Sequence, residues 1–186
     1  MIPRRGFAYR IVPKGREGVM RRVLIIGNSG GGKSTLARRL GDKLGLPVIH
    51  LDVLFWKPGW VESDRDDYRT RVMAALQAPA WICDGQFPST FHLRMPMSDT
   101  IVWIDQPRTL CLCRAIWRAV TYRDGGRPDM AEGCREKIDF AFYRYIWTFD
   151  RRVRPEVEAA LAEHGAHARL FHLRNDREIA AFLAQA

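Results

Sequence analysis

The sequence predicts an α/β fold built around an open parallel β-sheet. Short apolar runs alternate along the chain with amphipathic segments of helical periodicity, which is the pattern of consecutive β-α-β units. With 186 residues, 47% of them hydrophobic, the chain has the size of one domain and enough apolar material for its core. Ligands bind such sheets at the carboxyl ends of the strands, so polar residues that follow the apolar runs are candidates for the site.

Five apolar runs are the predicted strands of this sheet. Most of their residues are apolar without alternation, which is typical of strands covered on both faces. They span residues 23–26, 48–51, 81–83, 100–104 and 169–173.

Six segments between and after these runs are the predicted helices, and local signals mark their ends. Gly45 ends the first, Ser63 caps the second, and Asp176 caps the last. Pro107 and Pro155 suit first turns, where the missing N–H costs nothing. The helices span residues 33–44, 64–77, 107–122 and 135–149, with one more opening at 155 and one after 176.

The excess of basic residues lies mainly at the start of the chain. There are 30 Lys and Arg against 21 Asp and Glu, a net charge of +9, and residues 1–22 carry six of these charges. Basicity is typical of proteins with anionic partners, but it does not choose among nucleic acid, membrane and phosphorylated molecules. Residues 1–19 lack periodicity, and we interpret them as a disordered or non-native extension, or alternatively as a nucleic-acid-binding arm. The domain then spans residues 20–186.

Neither a membrane-spanning segment nor a disulfide framework is predicted. No window approaches the ~18 to 20 apolar residues of a transmembrane helix. Cys83, Cys111, Cys113 and Cys134 do not have the spacing of a zinc site, and we interpret them as buried or partly buried thiols of a reducing compartment. We therefore expect a soluble, cytoplasmic, monomeric protein without a membrane partner.

The strongest motif follows the first predicted strand. Residues 27–34 read G-N-S-G-G-G-K-S, an intact G-x-x-x-x-G-K-[ST] pattern between an apolar run and a helix. Its glycines let backbone N–H groups form a nest for phosphate oxygens, and the following helix adds the positive end of its dipole. Lys33 is expected to reach the β- and γ-phosphates of ATP, and the Ser34 hydroxyl to bind Mg²⁺. The predicted nucleotide-binding residues of this segment are Gly27, Asn28, Ser29, Gly30, Gly31, Gly32, Lys33, Ser34 and Thr35.

Three acidic residues follow predicted strands and would face the same crevice. Asp52 would accept a proton from an attacking hydroxyl or bind Mg²⁺ through water, unless it serves as a turn or cap residue. Asp84 and Asp105 compete for a role beside Mg²⁺, because each ends an apolar run. We favour Asp84, since the sequence around Asp105 also resembles a helix entry.

Four arginines cluster in and after the third predicted helix. Their planar guanidinium groups suit a lid over residues 122–134 that closes on phosphates and stabilises transition-state charge. Arg118 and Arg127 are assigned to catalysis, Arg114 and Arg118 to the nucleotide, and Arg123 to the acceptor. The alternative is a solvated basic face.

The stretch after the second strand is the predicted acceptor region. Residues 54–60 read L-F-W-K-P-G-W, which is too aromatic for a solvent loop. Trp56 or Trp60 could stack on a planar acceptor, or both could pack in the core. Arg94 could bind a phosphate or carboxylate of the acceptor.

These residues together resemble the adenylate-kinase-like P-loop kinases, and within them the group called DNA topology modulation proteins. The resemblance covers residue 20 to the C terminus and implies a five-stranded parallel sheet in order 2-3-1-4-5 with a helical arginine lid. It also implies that Arg114 and Arg118 are lid-helix arginines and that Arg174 and Asn175 contact adenine. It rests on residues 27–34, 50–52, 56–60, 84–85, 127–130 and 133–134.

Two departures argue against a strict adenylate kinase. Asp84-Gly85 resembles the start of the adenylate-kinase motif Asp-Gly-Phe-Pro-Arg, but the chain continues Gln-Phe-Pro-Ser and lacks the arginine at that position. With Asp52 after the second strand, the sequence is more similar to acceptor-hydroxyl kinases, such as shikimate and gluconate kinases, than to adenylate kinases.

We therefore predict an ATP- and Mg²⁺-dependent phosphotransferase that acts on a small hydroxyl-bearing or nucleotide acceptor. The alternative is an ATP-dependent nucleic-acid-associated protein without small-molecule kinase activity, as the name of the resembled group suggests. Its sequence support is the net charge, because no helix-turn-helix or zinc module is evident.

Overall fold

Five parallel strands form the central sheet of the protein, in a computed structural model that describes residues 19–122, 130, 133–134 and 138–186. The strands of the described residues are β1 (Arg22–Gly27), β2 (Val48–His50), β3 (Trp56–Lys57), β4 (Val61–Glu62), β5 (Trp81–Asp84), β6 (Thr100–Ile104) and β7 (Arg169–Leu173). The helices are α1 (Lys33–Leu44), α2 (Leu51–Phe55), α3 (Arg65–Ala75), α4 (Phe91–Arg94), α5 (Arg108–Thr121), α6 (Phe140–Arg152), α7 (Arg154–His164) and α8 (Asp176–Gln185).

The strand order of the sheet is β2-β5-β1-β6-β7, and every neighbouring pair is parallel. Counted among themselves, the five strands are in the order 2-3-1-4-5, which confirms the prediction. β1 is the central strand, so the loop that follows it opens at the middle of the carboxyl edge, between the ends of β5 and β6. β3 and β4 form a separate antiparallel hairpin.

The side chains of β1 alternate between two hydrophobic cores, one on each face of the sheet. Leu24 and Ile26 face the core that α3, α4, α6 and α7 cover, whereas Val23 and Ile25 face the core that α1 and α8 cover. All four side chains are fully buried. Helices therefore cover both faces, as the apolar runs predicted.

Two helix caps differ from the predicted ones. Asp64, and not Ser63, caps α3, because its Oδ1 accepts from the backbone N–H groups of the first turn; Ser63 instead donates its hydroxyl to the Phe55 carbonyl at 2.5 Å. Asn175, and not Asp176, caps α8, since its side chain accepts from the Glu178 N–H at 2.9 Å.

The predicted lid falls largely outside the described residues. Arg123 and Arg127 lie there, so their assigned roles stay predictions. The helix predicted from residue 135 begins at Phe140, with the Asp139 side chain as its cap. Cys113 is exposed, whereas Cys83, Cys111 and Cys134 are buried. Within the described ranges, no helix is both long and apolar enough to cross a bilayer.

Candidate active site

The glycine-rich loop between β1 and α1 fits closely against its surroundings. Gly27 and Gly30 have positive φ angles of 139° and 79°, and a Cβ atom at either would overlap a carbonyl oxygen, that of Ile104 or of Cys111. Only glycine therefore allows the loop to pass so close to β6 and α5.

The loop opens a cradle at the start of α1. Gly32 also has a positive φ, 96°, but a Cβ atom there would meet nothing within 4 Å. Gly32 is the N-cap residue of α1 and supplies no side chain to cap it, so no cap side chain competes with a ligand for the first N–H groups of the helix. A 12-residue helix that begins with such groups beside open space has the geometry of an anion site. Ser29, Gly31 and Thr35 belong to the same loop and first turn.

Lys33 is folded back over this loop and lies near two carboxylates. Its ammonium donates to the Asn28 carbonyl at 2.9 Å. Burial lowers the pKa of Lys33, while the negative charges of Asp52 and Asp84 oppose the decrease. The structure thus brings together three of the predicted site residues: the loop lysine and the acids that follow β2 and β5.

The Asp84 carboxylate joins the loop to the neighbouring strand. Its Oδ2 accepts from the Ser34 hydroxyl at 2.7 Å, and its Oδ1 accepts from His50 Nδ1 at the end of β2. Asp84 is only 3% exposed, so both oxygens are held in a region with little solvent. A serine hydroxyl and a carboxylate in contact form the oxygen-rich donor set that Mg²⁺ prefers.

Asp105 has a different environment, and this separates the two competing acids. It accepts from Arg154 through both oxygens, at 2.5 and 3.0 Å, and from His172 Nε2 at 2.8 Å. Burial raises its pKa, but these partners outweigh burial and leave the pKa below its ordinary value. Asp105 therefore ties α7 to the carboxyl end of β6. It does not cap α5 either, as α5 has no side-chain cap.

The fold of the described residues is shared with solved kinase structures. Shikimate kinase from Acinetobacter baumannii, in complex with shikimate, is 16% identical, with 90% of each chain covered and a TM-score of 0.51. Shikimate kinase from Bacteroides thetaiotaomicron is 17% identical, covering 90% of this chain and 96% of that one, with a TM-score of 0.53. The chain has the fold of these kinases.

Neither a protein-family model nor a curated protein matches the sequence. The resemblance to the DNA topology modulation group stays a prediction.

Asp52 lies in a short helix and not in a loop. β2 ends at His50, and α2 begins at Leu51. The Asp52 side chain is half-buried, and its charge adds to the pKa increase that burial causes at Tyr68 and Tyr145. The charge of Asp52 therefore acts both on Lys33 and on tyrosines packed in the larger core.

The two arginines of α5 differ in their surroundings. Arg118 is half-buried, with its guanidinium 5.9 Å from the centre of the Phe142 ring, and its charge contributes to the lowered pKa of Lys33. Arg114 instead donates to Asp176 at the start of α8, at 2.7 Å. Of these two arginines, Arg118 is therefore the one whose charge acts on the phosphate loop.

The predicted adenine contacts lie at the N terminus of α8. Asn175 is engaged with Glu178 through both ends of its amide, accepting from the backbone N–H and donating to Oε1 at 2.8 Å. Arg174 is exposed, and its backbone N–H donates to the same carboxylate at 2.7 Å. A contact between these residues and adenine stays a prediction.

Arg94 is completely enclosed, which argues against the predicted contact with an acceptor anion. It is 0% exposed, and its guanidinium donates to Thr90 Oγ1 and to the carbonyls of Gly85, Gln86 and Phe87, at 2.8–3.2 Å. Arg94 therefore shapes the segment that follows β5.

Sequence reasoning assigned no role to His50 or Gln86. The rule that selected Asp52 and Asp84, a polar residue at the carboxyl end of a strand, would also have selected His50. Gln86 accepts from the Gly27 N–H through Oε1 at 2.8 Å, and no local sequence pattern predicts this contact. Both residues support the phosphate loop or its acidic partner.

Proposed function

We propose that the protein is an ATP- and Mg²⁺-dependent phosphotransferase that transfers the γ-phosphoryl group to a small hydroxyl-bearing or nucleotide acceptor. The observation that carries the proposal is the contact between Ser34 and Asp84 beside Lys33, at the mouth of an uncapped helix. The fold shared with shikimate kinases agrees with this activity.

The residues present fit a magnesium nucleotide. The open space at Gly32 suits phosphate oxygens, and the N–H groups of the first turn of α1 would bind them. Ser34 and Asp84 would hold Mg²⁺, directly or through water. When bound, the ion would offset the negative charge of the phosphates.

The chemistry then divides among three side chains. Asp52 would accept the proton of the acceptor hydroxyl as its oxygen bonds to the γ-phosphorus and the bond to the β–γ bridging oxygen breaks, releasing ADP. Lys33 would leave the Asn28 carbonyl and offset charge on the phosphoryl oxygens. Arg118, which faces Lys33 from α5, would stabilise the same developing charge.

Replacing the loop lysine tests the proposal. We expect Lys33→Ala to reduce ADP release at least about a hundredfold, because removing one preorganised donor to transition-state charge has this effect. ADP release is measured with Mg²⁺-ATP and a panel of nucleosides, nucleoside monophosphates, sugars and hydroxy acids.

Lys43→Ala is the matched control, since Lys43 is on the same helix but donates to the carbonyls of Leu183 and Ala184 at its far end. Thermal unfolding of both variants shows whether the fold is kept. Wild-type ADP release by folded Lys33→Ala would overturn the site assignment.

A further inference from the structure

The acceptor side of the site is a continuous cluster of aromatic rings, called here the aromatic wall. Phe55 is at its centre, with ring centroids 4.9 Å from Trp56, 5.2 Å from Tyr68 and 4.9 Å from Phe87. Trp60 extends it, 5.3 Å from Trp56. Tyr68 is buried, whereas the two tryptophans are only half-buried. The wall therefore has a core side and an accessible end formed by Trp56 and Trp60.

The wall continues directly from Asp52. Asp52 and Phe55 are three residues apart on α2, which puts them on the same side of that helix. The Asp52 carboxylate is also near enough to Lys33 to oppose the decrease that burial causes in the pKa of Lys33. An acceptor whose hydroxyl meets Asp52 would thus have its body against aromatic rings.

A strained backbone holds one member of the wall in place. Phe87 has a φ of 25°, which is rare for a residue with a side chain. Its carbonyl accepts from Arg94 at 3.0 Å and from the N–H and hydroxyl of Thr90, both at 3.1 Å. Arg94 therefore supports the wall from behind, and none of its described contacts leaves it facing an acceptor.

Two further cations adjoin the wall, and both face the same carboxylate. Arg71, three residues beyond Tyr68, donates to Asp67 at 2.9 Å and to the Ser63 hydroxyl at 2.6 Å. Lys57, which follows Trp56, is 3.9 Å from Asp67. A carboxylate or phosphate placed on the wall would lose water against apolar rings, with these cations already opposed by Asp67.

We infer that the acceptor is an uncharged alcohol with a planar ring, such as a nucleoside or another aromatic alcohol, and not a hydroxy acid or a nucleoside monophosphate. The inference rests on the proposed phosphotransfer. Aromatic faces bind planar rings without needing a counter-charge, whereas an anionic acceptor needs a cation. Of the cations that the structure describes beside the wall, Arg94 is enclosed, and Arg71 and Lys57 are already opposed by Asp67.

Matched pairs of acceptors test the inference. Each nucleoside is compared with its 5′-monophosphate, and pyridoxine, an uncharged aromatic alcohol, with shikimate, an anionic hydroxy acid. We expect kcat/KM for ADP release to be at least about tenfold higher for the uncharged member of a pair. Titration calorimetry of the same compounds on ADP-saturated protein measures binding independently of turnover.

The accessible end of the wall is tested by substitution. Trp60→Leu is expected to raise KM for the uncharged acceptor about three- to tenfold, the range for loss of one aromatic contact, and to leave KM for ATP unchanged. Trp117→Leu is the control, because Trp117 is 66% exposed on α5.

The outcomes separate this inference from the proposed function. If a monophosphate or hydroxy acid is turned over in preference to its uncharged counterpart, the inference of an uncharged acceptor is wrong, but the proposed kinase activity stands. The same holds if only the anionic members of the pairs bind. Failure of every uncharged member to bind also overturns it. Absence of ATP binding would overturn the proposed function itself.

Discussion

At the scale of single residues, Asp84 is the best-defined side chain of the candidate site. Ser34 holds one carboxylate oxygen from the phosphate loop, and His50 holds the other from β2. A nearly buried carboxylate with a partner on each oxygen has a fixed orientation. His50 would therefore act on the proposed metal site through Asp84, as a positioning residue.

Removing the His50 hydrogen bond should weaken Mg²⁺ binding. We expect His50→Leu to raise the Mg²⁺ concentration for half-maximal ADP release about ten- to a hundredfold, as is usual when the hydrogen-bond partner of a metal-binding side chain is lost. His50→Gln keeps an N–H donor and should restore most of the affinity. His92→Leu, at an exposed histidine of α4, is the control. If His50→Leu lowers the unfolding temperature but leaves the Mg²⁺ requirement unchanged, His50 stabilises the fold and does not position Asp84 for the metal.

The sequence identified Asp84 and Asp105 as competitors and favoured Asp84 only because the residues around Asp105 resemble a helix entry, since both acids lie at the carboxyl ends of strands that pair with β1. The decision comes from side chains distant along the chain. Arg154 and His172 hydrogen-bond to Asp105, whereas Ser34 and His50 hydrogen-bond to Asp84. The enclosure of Arg94 could not be predicted either, since three of its four acceptors are backbone carbonyls, which no residue pattern encodes.

At the scale of elements, the phosphate loop requires glycine for two different reasons. At Gly27 and Gly30 a side chain would overlap neighbouring backbone. At Gly32 it would project into open space at the start of α1, where we propose that phosphates bind. Gly27 and Gly30 therefore determine the path of the loop, whereas Gly32 leaves the start of α1 accessible to a ligand.

This difference predicts that Gly32→Ala loses ATP binding without losing the fold. The positive φ costs alanine about 1 kcal/mol of stability, and the new methyl group occupies the cradle. Gly45→Ala is a matched control, because Gly45 has a φ of 65° and open space around its Cβ position, but it ends α1 far from the loop. Calorimetric titration with Mg²⁺-ATP and urea unfolding measure the two effects. Equal ATP affinity in both variants would contradict the proposed cradle.

Elements with long periodic patterns were predicted closely, and short ones were not. The bounds of α1 and β7 are those predicted, since Gly45 ends the helix and the apolar run of β7 is continuous. Residues 51–62 contain only a five-residue helix and two-residue strands. Such elements depend on tertiary packing, here of aromatic rings, and so gave no local period to detect.

At the scale of the whole molecule, the strand order assembles the site. Placing β1 between β5 and β6, with β2 beyond β5, brings the phosphate loop, Asp84 and His50 to one edge although up to 50 residues separate them. The resemblance implied this order, but the contacts within the edge arise from pairing across the sheet.

The charge distribution predicts which part of the chain would bind nucleic acid. Residues 1–22 carry +6 of the net charge of +9, of which residues 1–19 carry +4, while the proposed catalytic residues all follow. We expect a chain lacking residues 1–19 to keep ADP release within about twofold and to lose most DNA affinity at low salt, because phosphate contacts by basic residues dominate nonspecific binding. Fluorescence anisotropy with a DNA duplex, at several salt concentrations, measures the change. Tight, salt-dependent binding by the shortened chain would instead locate a nucleic-acid surface on the folded domain, and would favour the nucleic-acid-associated alternative over a kinase with a basic extension.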